Sequence, residues 1–179
     1  QPRSRGLGDV YKRQVDGWLH TGDIVALADN GELMIVDRKK AIIITSGGKN
    51  IAPSEIENAL KDSLHVREAI ILGDGRHYLA ALIQIDFDTV GKWAQERKLA
   101  YTTYKSLALL PEVRELIEED VKRVNKLFAR VENIRKFLIL EKELDHDDGE
   151  LTATQKVRRN VIEKTFAKEI AIIYGGGAG

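Results

Sequence analysis

No stretch constrains this chain as tightly as Asp37-Arg-Lys-Lys-Ala-Ile-Ile-Ile-Thr-Ser-Gly-Gly-Lys-Asn-Ile-Ala-Pro-Ser-Glu-Ile-Glu57. A charged turn, an apolar strand, a glycine turn with a cation and a helix start follow one another without a break. Residues 41–45 read as a short apolar strand. Ser46-Gly47-Gly48-Lys49-Asn50 reads as a turn, because paired glycines permit close backbone approach and unusual dihedrals. Pro53 then opens a predicted helix to about Lys61. Proline suits a first helical turn, and Ser54 and Glu55 place oxygens near the positive end of the helix.

The same reading extends along the chain. Residues 24–27 and 33–36 flank Asp29-Asn30-Gly31 and predict a hairpin, since Asn-Gly tolerates the positive φ of a tight turn. Residues 69–72 and 78–85 are predicted strands around Gly73-Asp74-Gly75. Residues 86 to about 98 read as a helix, and 101–110 as a short helix at most. Val113, Leu116, Ile117, Val121, Val124 and Phe128 fall at helical spacing and predict a helix over 111–131. Residues 137–140 form a last predicted strand, 145–150 a solvated acidic loop, and 157–173 a final amphipathic helix with Val161, Ile162, Phe166 and Ile170 inward. The expected fold class is α+β: a small mixed sheet covered by helices, preceded by a β-hairpin.

Composition bounds the function. The 179 residues give room for one domain and a piece of a second. Hydrophobic residues make up 43%, enough for a core. Lys plus Arg equals Asp plus Glu at 28 each, which argues against a bulk nucleic-acid binder but leaves room for a local patch facing a phosphorylated ligand. Without cysteine there is no disulfide, thiolate metal site or cysteine nucleophile. No apolar run approaches the roughly 20 residues that span a bilayer, and no signal peptide is visible, so a cytoplasmic setting is expected. Residues 1–14 are basic and aperiodic and are expected to be a non-native leader, with a divergent linker as the rival reading; residues 175–179 read as a flexible tail. His20, His65, His77 and His146 lack zinc spacing, the carboxylates of 145–150 lack EF-hand order, and Trp93 and Phe128 read as core.

Four segments could carry chemistry. In Gly17-Trp-Leu-His-Thr-Gly-Asp23 an Asp follows a glycine at a strand entrance, usually a turn residue. Asp37-Arg38-Lys39-Lys40 is a charge run of the kind that caps solvated turns. The 45–50 turn is not a Walker loop, since the upstream glycine is absent and Asn50 follows Lys49. Leu151-Thr-Ala-Thr-Gln-Lys156-Val-Arg-Arg159 sets three cations at a predicted helix N-terminus, which the macrodipole does not favour.

Together, and in this order, these motifs resemble the C-terminal end of the AMP-forming acyl-CoA synthetases, and within them the bacterial long-chain fatty-acid–CoA ligases. The resemblance covers roughly residues 15–174. It implies fatty-acid activation by ATP to an acyl-adenylate, then transfer to coenzyme A, with Mg2+ accompanying the ATP. It implies that Asp23 accepts the ribose hydroxyls, that Arg38 reaches the nucleotide, and that Lys40 is the hinge about which a small lid domain turns. Ser46, Gly47, Gly48 and Lys49 would face coenzyme A, the glycines lying against its pantetheine arm. Lys156 would bridge carboxylate, α-phosphate and ribose oxygens as the adenylate forms, a task that suits a compact ammonium with three donors. Ala153 departs from the proline common in the long-chain pattern, and Gln155 from the glycine of other relatives.

Domain boundaries follow: residues 15–37 as the end of a large N-terminal domain, and 38–174 as the C-terminal lid. The Ser/Thr/Gly-rich phosphate loop, the adenine-binding aromatic motif and the acyl tunnel are not in this sequence, so the chain is expected to be a ligase fragment, inactive alone. Its expected partners are its own large domain, fatty acid and coenzyme A; any peripheral membrane contact would run through the large domain. Two alternatives stay open: an adenylate-forming enzyme with another acid or acceptor, such as an adenylation module or a luciferase-like oxidase, and a non-catalytic binding module of the same fold.

Overall fold

Leu79–Ile85 is buried at all seven positions, and that fact organises the fold. A strand covered on both faces carries apolar residues continuously rather than alternately. In the computed structural model, which describes residues 14–15, 18–19, 21–28, 30–38, 42–154 and 156–175, the chain divides into two units, residues 1–42 and 43–179.

The first unit holds two antiparallel pairs. Strands β1 (Gln14–Val15) and β2 (Trp18–Leu19) pair with each other, so Gln14 sits opposite Leu19. Strands β3 (Asp23–Leu27) and β4 (Leu33–Arg38) form the expected hairpin, with a register shift between Ile24 and Val25. Gly31 takes φ +84° in its turn, and the Asn30 side chain accepts from the Glu32 N–H at 3.1 Å. The leader expectation falls largely outside the described residues, as do Lys39 to Ala41.

The second unit is the α+β body. Strands β5 (Ile43–Ile44) and β6 (Asn50–Ile51) flank the glycine turn as a two-residue antiparallel pair. The expected strand over 41–45 is therefore shorter within the described residues, and its partner at Asn50–Ile51 was not foreseen. Helix α1 (Pro53–Lys61) follows with the predicted bounds. Next come β7 (Val66–Leu72), β8 (Leu79–Ile85), α2 (Phe87–Glu96), α3 (Tyr104–Ala108), α4 (Pro111–Asn125), β9 (Ile134–Ile139), α5 (Arg159–Thr165) and α6 (Ala167–Gly175). The main sheet runs β7-β8-β9; β7 pairs antiparallel and β9 parallel to β8, which makes it mixed.

Two cores lie on the two faces of this sheet. Leu79, Ala81, Ile83 and Ile85 join Ala69 and Ile71 under Ile56 and Leu60 of α1, Val90 and Ala94 of α2, and Val113, Ile117, Val121 and Val124 of α4. Ala80 and Leu82 join Ile70 and Leu72 under Ile162, Phe166 and Ile173. The period-2 alternation of β7 and β8 sorts their side chains between the faces.

Three expectations are corrected here. The helix beginning at Pro111 ends at Asn125, not near 131, because the Asn125 side chain accepts from the Ile134 N–H at 2.8 Å and donates to the Ile134 C=O at 2.9 Å. The final helix is two: Val157 bridges to Leu151 ahead of it, and the helix is interrupted at Phe166. The acidic loop is not wholly solvated, for Glu150 is fully buried, paired with Lys142 at 2.8 Å and accepting from the Asp145 N–H at 3.1 Å.

Candidate functional site

In the hairpin of the first unit, Asp23 and Arg38 are register partners across β3 and β4. Gly22, at φ +79°, turns the chain into β3, and the Asp23 N–H donates to the Thr21 hydroxyl at 3.2 Å. The antiparallel register thus sets the two nucleotide-site candidates opposite each other, though they lie fifteen positions apart in sequence. Lys40, the hinge candidate, lies outside the described residues, and so do Gly17, His20 and Gln155 of the flanking motifs.

The glycine turn is built by its own backbone. The Thr45 N–H donates to the Lys49 C=O at 3.0 Å, and the Gly48 N–H to the Thr45 C=O at 2.8 Å. Thr45 Oγ1 accepts from the Lys49 N–H at 3.2 Å. A second layer ties the turn to the loop between β7 and β8: the Ser46 N–H donates to the Arg76 C=O at 2.9 Å, and Ser46 Oγ meets His77 Nδ1 at 2.8 Å. Asp74 accepts from the Ile44 N–H at 3.0 Å. Gly48 sits at φ +74°, a conformation that L side chains rarely adopt, while a Cβ on Gly47 would meet nothing nearer than Thr45 Oγ1 at 3.9 Å. Ser46, Gly47, Gly48 and Lys49 are all exposed.

Lys156 stands on a closed loop rather than at a helix start. Leu151 and Val157 bridge, the Thr152 N–H donates to the Lys156 C=O at 2.8 Å, and the Lys156 N–H donates to the Thr152 hydroxyl at 3.0 Å. The Arg158 N–H donates to the Glu150 C=O at 2.8 Å. Behind the loop, Lys142 pairs with Asp148 at 2.6 Å and with Glu150. Partial burial works against the Lys142 charge, but the hydrogen bonds to Asp148 and Glu150 outweigh it and hold the ammonium above the ordinary lysine range. The Lys156 side chain is left exposed on this braced loop.

Arg159, counted in the sequence only as one of three cations, has a structural partner. Its guanidinium donates to the Ile71 C=O and to the Glu57 carboxylate, and the same Glu57 oxygen accepts from the Ile71 N–H at 2.8 Å. Because β7 is an edge strand, the outward N–H and C=O of Ile71 have no strand to pair with. Glu57 of α1 and Arg159 of α5 satisfy both. The pair thereby ties the helix after the glycine turn to the helix after Lys156. The signal was present in sequence as an arginine three positions past Lys156, but its partner lies 102 positions away.

The structure does not bring Lys156 and the glycine turn into one cleft. Lys156 lines a cleft beside α1 and β7 with Ser54, Glu57 and Arg159, whereas Ser46, Gly47 and Lys49 line another with His77, Arg130 and Arg135. Among the described residues no group of three or more His, Cys, Asp or Glu is placed to hold a metal ion. No described helix is long and apolar enough to cross a membrane.

Comparison with known proteins gives this geometry its context. The family described as the AMP-binding enzyme C-terminal domain matches residues 40–177. The long-chain-fatty-acid–CoA ligase FadD15 of Mycobacterium tuberculosis is 41% identical over 160 residues, covering 89% of this chain and 27% of that protein. Human long-chain-fatty-acid–CoA ligase 1 is 33% identical over 162 residues, covering 89% of this chain and 23% of its own length. The chain thus spans about a quarter of the curated relatives it matches. Among solved structures, the adenylation domain of the carboxylate reductase from Mycobacterium chelonae superposes with a TM-score of 0.74 at 23% identity, over 94% of this chain and 24% of that one. The corresponding domain from Segniliparus rugosus, in complex with AMP and a co-purified carboxylic acid, gives 0.72 at 21% identity, over 98% of this chain and 26% of that one. At these identities the superpositions speak for the fold alone, and the match over residues 40–177 settles the family: this chain belongs to the AMP-binding enzyme C-terminal domains.

Proposed function

We propose that this chain is the C-terminal part of a long-chain fatty-acid–CoA ligase, in which residues 38–174 act as a mobile lid serving two half-reactions in turn. The observation that carries this reading is the separation of Lys156 and the glycine turn into two clefts of one body. A lid that met its active site in a single orientation would have no use for two functional faces. One that turns between steps needs both. The names of the curated relatives support the substrate class.

In the first half-reaction the fatty-acid carboxylate attacks the α-phosphorus of ATP and pyrophosphate leaves, giving the acyl-adenylate. Lys156 presents its ammonium where negative charge develops, and the loop behind it restricts its backbone before substrate arrives. Asp23 accepts the ribose hydroxyls, and Arg38, its register partner, reaches the nucleotide. ATP would bring magnesium as its counter-ion. In the second half-reaction the lid has turned about Lys40, and the thiolate of coenzyme A attacks the acyl carbonyl, expelling AMP. Gly47 leaves the pantetheine arm a path with no side chain in it. The setting proposed for this chemistry is the cytoplasm.

The test is Lys156→Ala in the full-length ligase, with the half-reactions measured separately. Pyrophosphate release with fatty acid should fall by about 100-fold or more, the scale of losing one charge-stabilising donor. Thioester formation from supplied acyl-adenylate should stay near the parent rate. Equal loss of both would assign Lys156 to folding of the loop and overturn its catalytic role.

A further inference from the structure

The main sheet has two edges, and the fold closes them unequally. On β7 the outward N–H and C=O of Ile71 are taken by Glu57 and Arg159. On β9 the N–H and C=O of Ile134 are taken by the Asn125 side chain. Beyond Ile134 there is no such cap. The Leu140 N–H donates to the Ile83 C=O at 2.8 Å, and Ile83 is the register partner of Ile139. In a parallel ladder this means that Lys136, Leu138 and Leu140 turn their backbone groups toward β8. Phe137 and Ile139 turn theirs outward, where among the described residues no strand pairs with them. An edge of this kind is a template for another strand.

A groove runs along that edge. Two clefts open onto it, and both are lined by Arg114 of α4, Leu138 of β9 and Ile172 of α6. Ile172, 71% exposed, and Leu109, 57% exposed, line the same cleft, so they form a patch rather than scattered apolar residues. The strand itself is flanked by charges of opposite sign. Arg135 and Lys136 stand near its start, and Glu141 lies just past its end. Arg135 is exposed and has no acidic partner among the described residues. Glu141 is half-exposed and gives one oxygen to Lys105 at 2.6 Å, which leaves the other for a second donor.

We propose that this edge pairs with β9 of a second copy of the chain, antiparallel and centred on Leu138, joining two three-stranded sheets into one. Twofold symmetry fixes the direction, because two identical strands that contact each other through the same patch run antiparallel. The backbone limits the register, because residues with outward groups must face residues with outward groups. Charge then selects among the registers that remain. Centring on Lys136 would set that lysine against its own copy, and centring on Ile139 would set Lys136 against Lys142. Centring on Phe137 would set Arg135 against Ile139. Centring on Leu138 sets Arg135 against Glu141 at both ends and Phe137 against Ile139 in the middle. The basic residues thus guard the edge against indiscriminate pairing while one register brings opposite charges together. This pairing does not rest on the ligase reading.

The experiment uses the 179-residue chain, whose lack of cysteine makes an introduced thiol the only one. In the proposed register Leu138 faces its own copy in a non-hydrogen-bonded pair, where Cα atoms lie about 4.5 Å apart, within disulfide reach. Leu138→Cys should therefore give a covalent dimer on mild oxidation. Lys136→Cys, which would face Leu140 of the other copy, should not. Sedimentation equilibrium of the parent should show a dimer that grows with concentration. Arg135→Glu should weaken it by about tenfold or more, since like charges then meet at both ends. Arg135→Glu with Glu141→Arg should restore it, a rescue that damage to the fold would not give. In the parent, amide hydrogen exchange at Phe137 and Ile139 should slow as the chain is concentrated, while Leu140, already bound to Ile83, should not change. Cross-linking of Lys136→Cys in place of Leu138→Cys, or a dimer indifferent to Arg135→Glu, would overturn the pairing. A chain that stays monomeric up to about 1 mM, with Phe137 and Ile139 exchanging freely, would overturn the second copy as occupant and leave the edge to an extended segment of another protein.

Discussion

Gly47 and Gly48 are adjacent, yet the structure asks for glycine at only one of them. At Gly48 the backbone stands at φ +74°, where a Cβ crowds the following carbonyl. Gly48→Ala should therefore lower the unfolding free energy of the chain by about 1–2 kcal/mol, read from its urea midpoint. Gly47 has open space around it, so Gly47→Leu should leave that midpoint unchanged. In the full-length ligase the same Leu should slow thioester formation while sparing pyrophosphate release, because on the proposed reading it would stand in the pantetheine path. A parent-like second step would remove Gly47 from the coenzyme A face. Arg159 makes a complementary case, half-buried at 28% exposure against Glu57 at 15%. Arg159→Ala leaves the Ile71 C=O and one side of the Glu57 carboxylate without their donor, at a cost of about 2 kcal/mol. It should also raise amide hydrogen exchange in the 151–158 loop, and Arg159→Lys should not restore protection, since lysine lacks the fork. Unchanged exchange in the Ala variant would show that the loop holds Lys156 without this brace.

Single elements separate what the sequence declares from what it conceals. Asp86 is a local signal: it caps α2, accepting from the Thr89 N–H at 2.9 Å, and the helix expected over 86 to about 98 spans Phe87–Glu96. Thr89's backbone N–H holds the carboxyl below the ordinary range, against the opposing pull of burial, with further help from the Thr89 hydroxyl and Arg67. A lowered native pKa means stability that is present above the unfolded value of 3.8 and is lost as pH falls through the native one. Asp86→Ala should thus cost about 1 kcal/mol at neutral pH. The gap between parent and variant should narrow on acidification below that range, and a gap constant from neutral pH to strong acid would show that the carboxylate is not the cap. Local signals of this kind also placed α1, the β3–β4 hairpin and the β7–β8 pair. Signals that depend on distant partners did not show. Helical spacing runs on to Phe128, but Asn125 stops the helix by pairing with Ile134, nine positions on. Val157 stands at helical spacing from Val161, yet its backbone pairs with Leu151, so the reading of one long helix gives way to a loop and two helices. Glu150 looks in the sequence like one acid among several, and the Lys142 ammonium with the Asp145 N–H explains why it can be buried. The candidate site divides the same way: the family resemblance pointed to Lys156 and the 46–49 turn, whereas the Glu57–Arg159 pair and the cleft that Arg130 and Arg135 share with the turn exist only in three dimensions.

At the scale of the whole molecule, the division into units falls between Ile42 and Ile43, two residues past Lys40. Such a position is where rotation of one unit against another would be absorbed, by a few backbone torsions rather than by repacking a core. On the proposed reading the chain carries the lid without the phosphate loop, and it should release no pyrophosphate with ATP and any fatty acid. Detectable thioester formation by the purified 179 residues would end the fragment reading. The sharper test is Lys40→Pro in the full-length ligase. Proline fixes φ near −65°, and a hinge that must change its torsions between half-reactions would be caught on one side. Adenylation should proceed, thioester formation should slow, and a distance probe between the units should report one separation where the parent reports two. Gly47→Leu offers the control, since it should slow the same step while both separations are still visited. A proline variant that makes acyl-CoA at the parent rate and still samples both distances would move the hinge away from Lys40, and the two clefts of the lid would then need another way of reaching one active site.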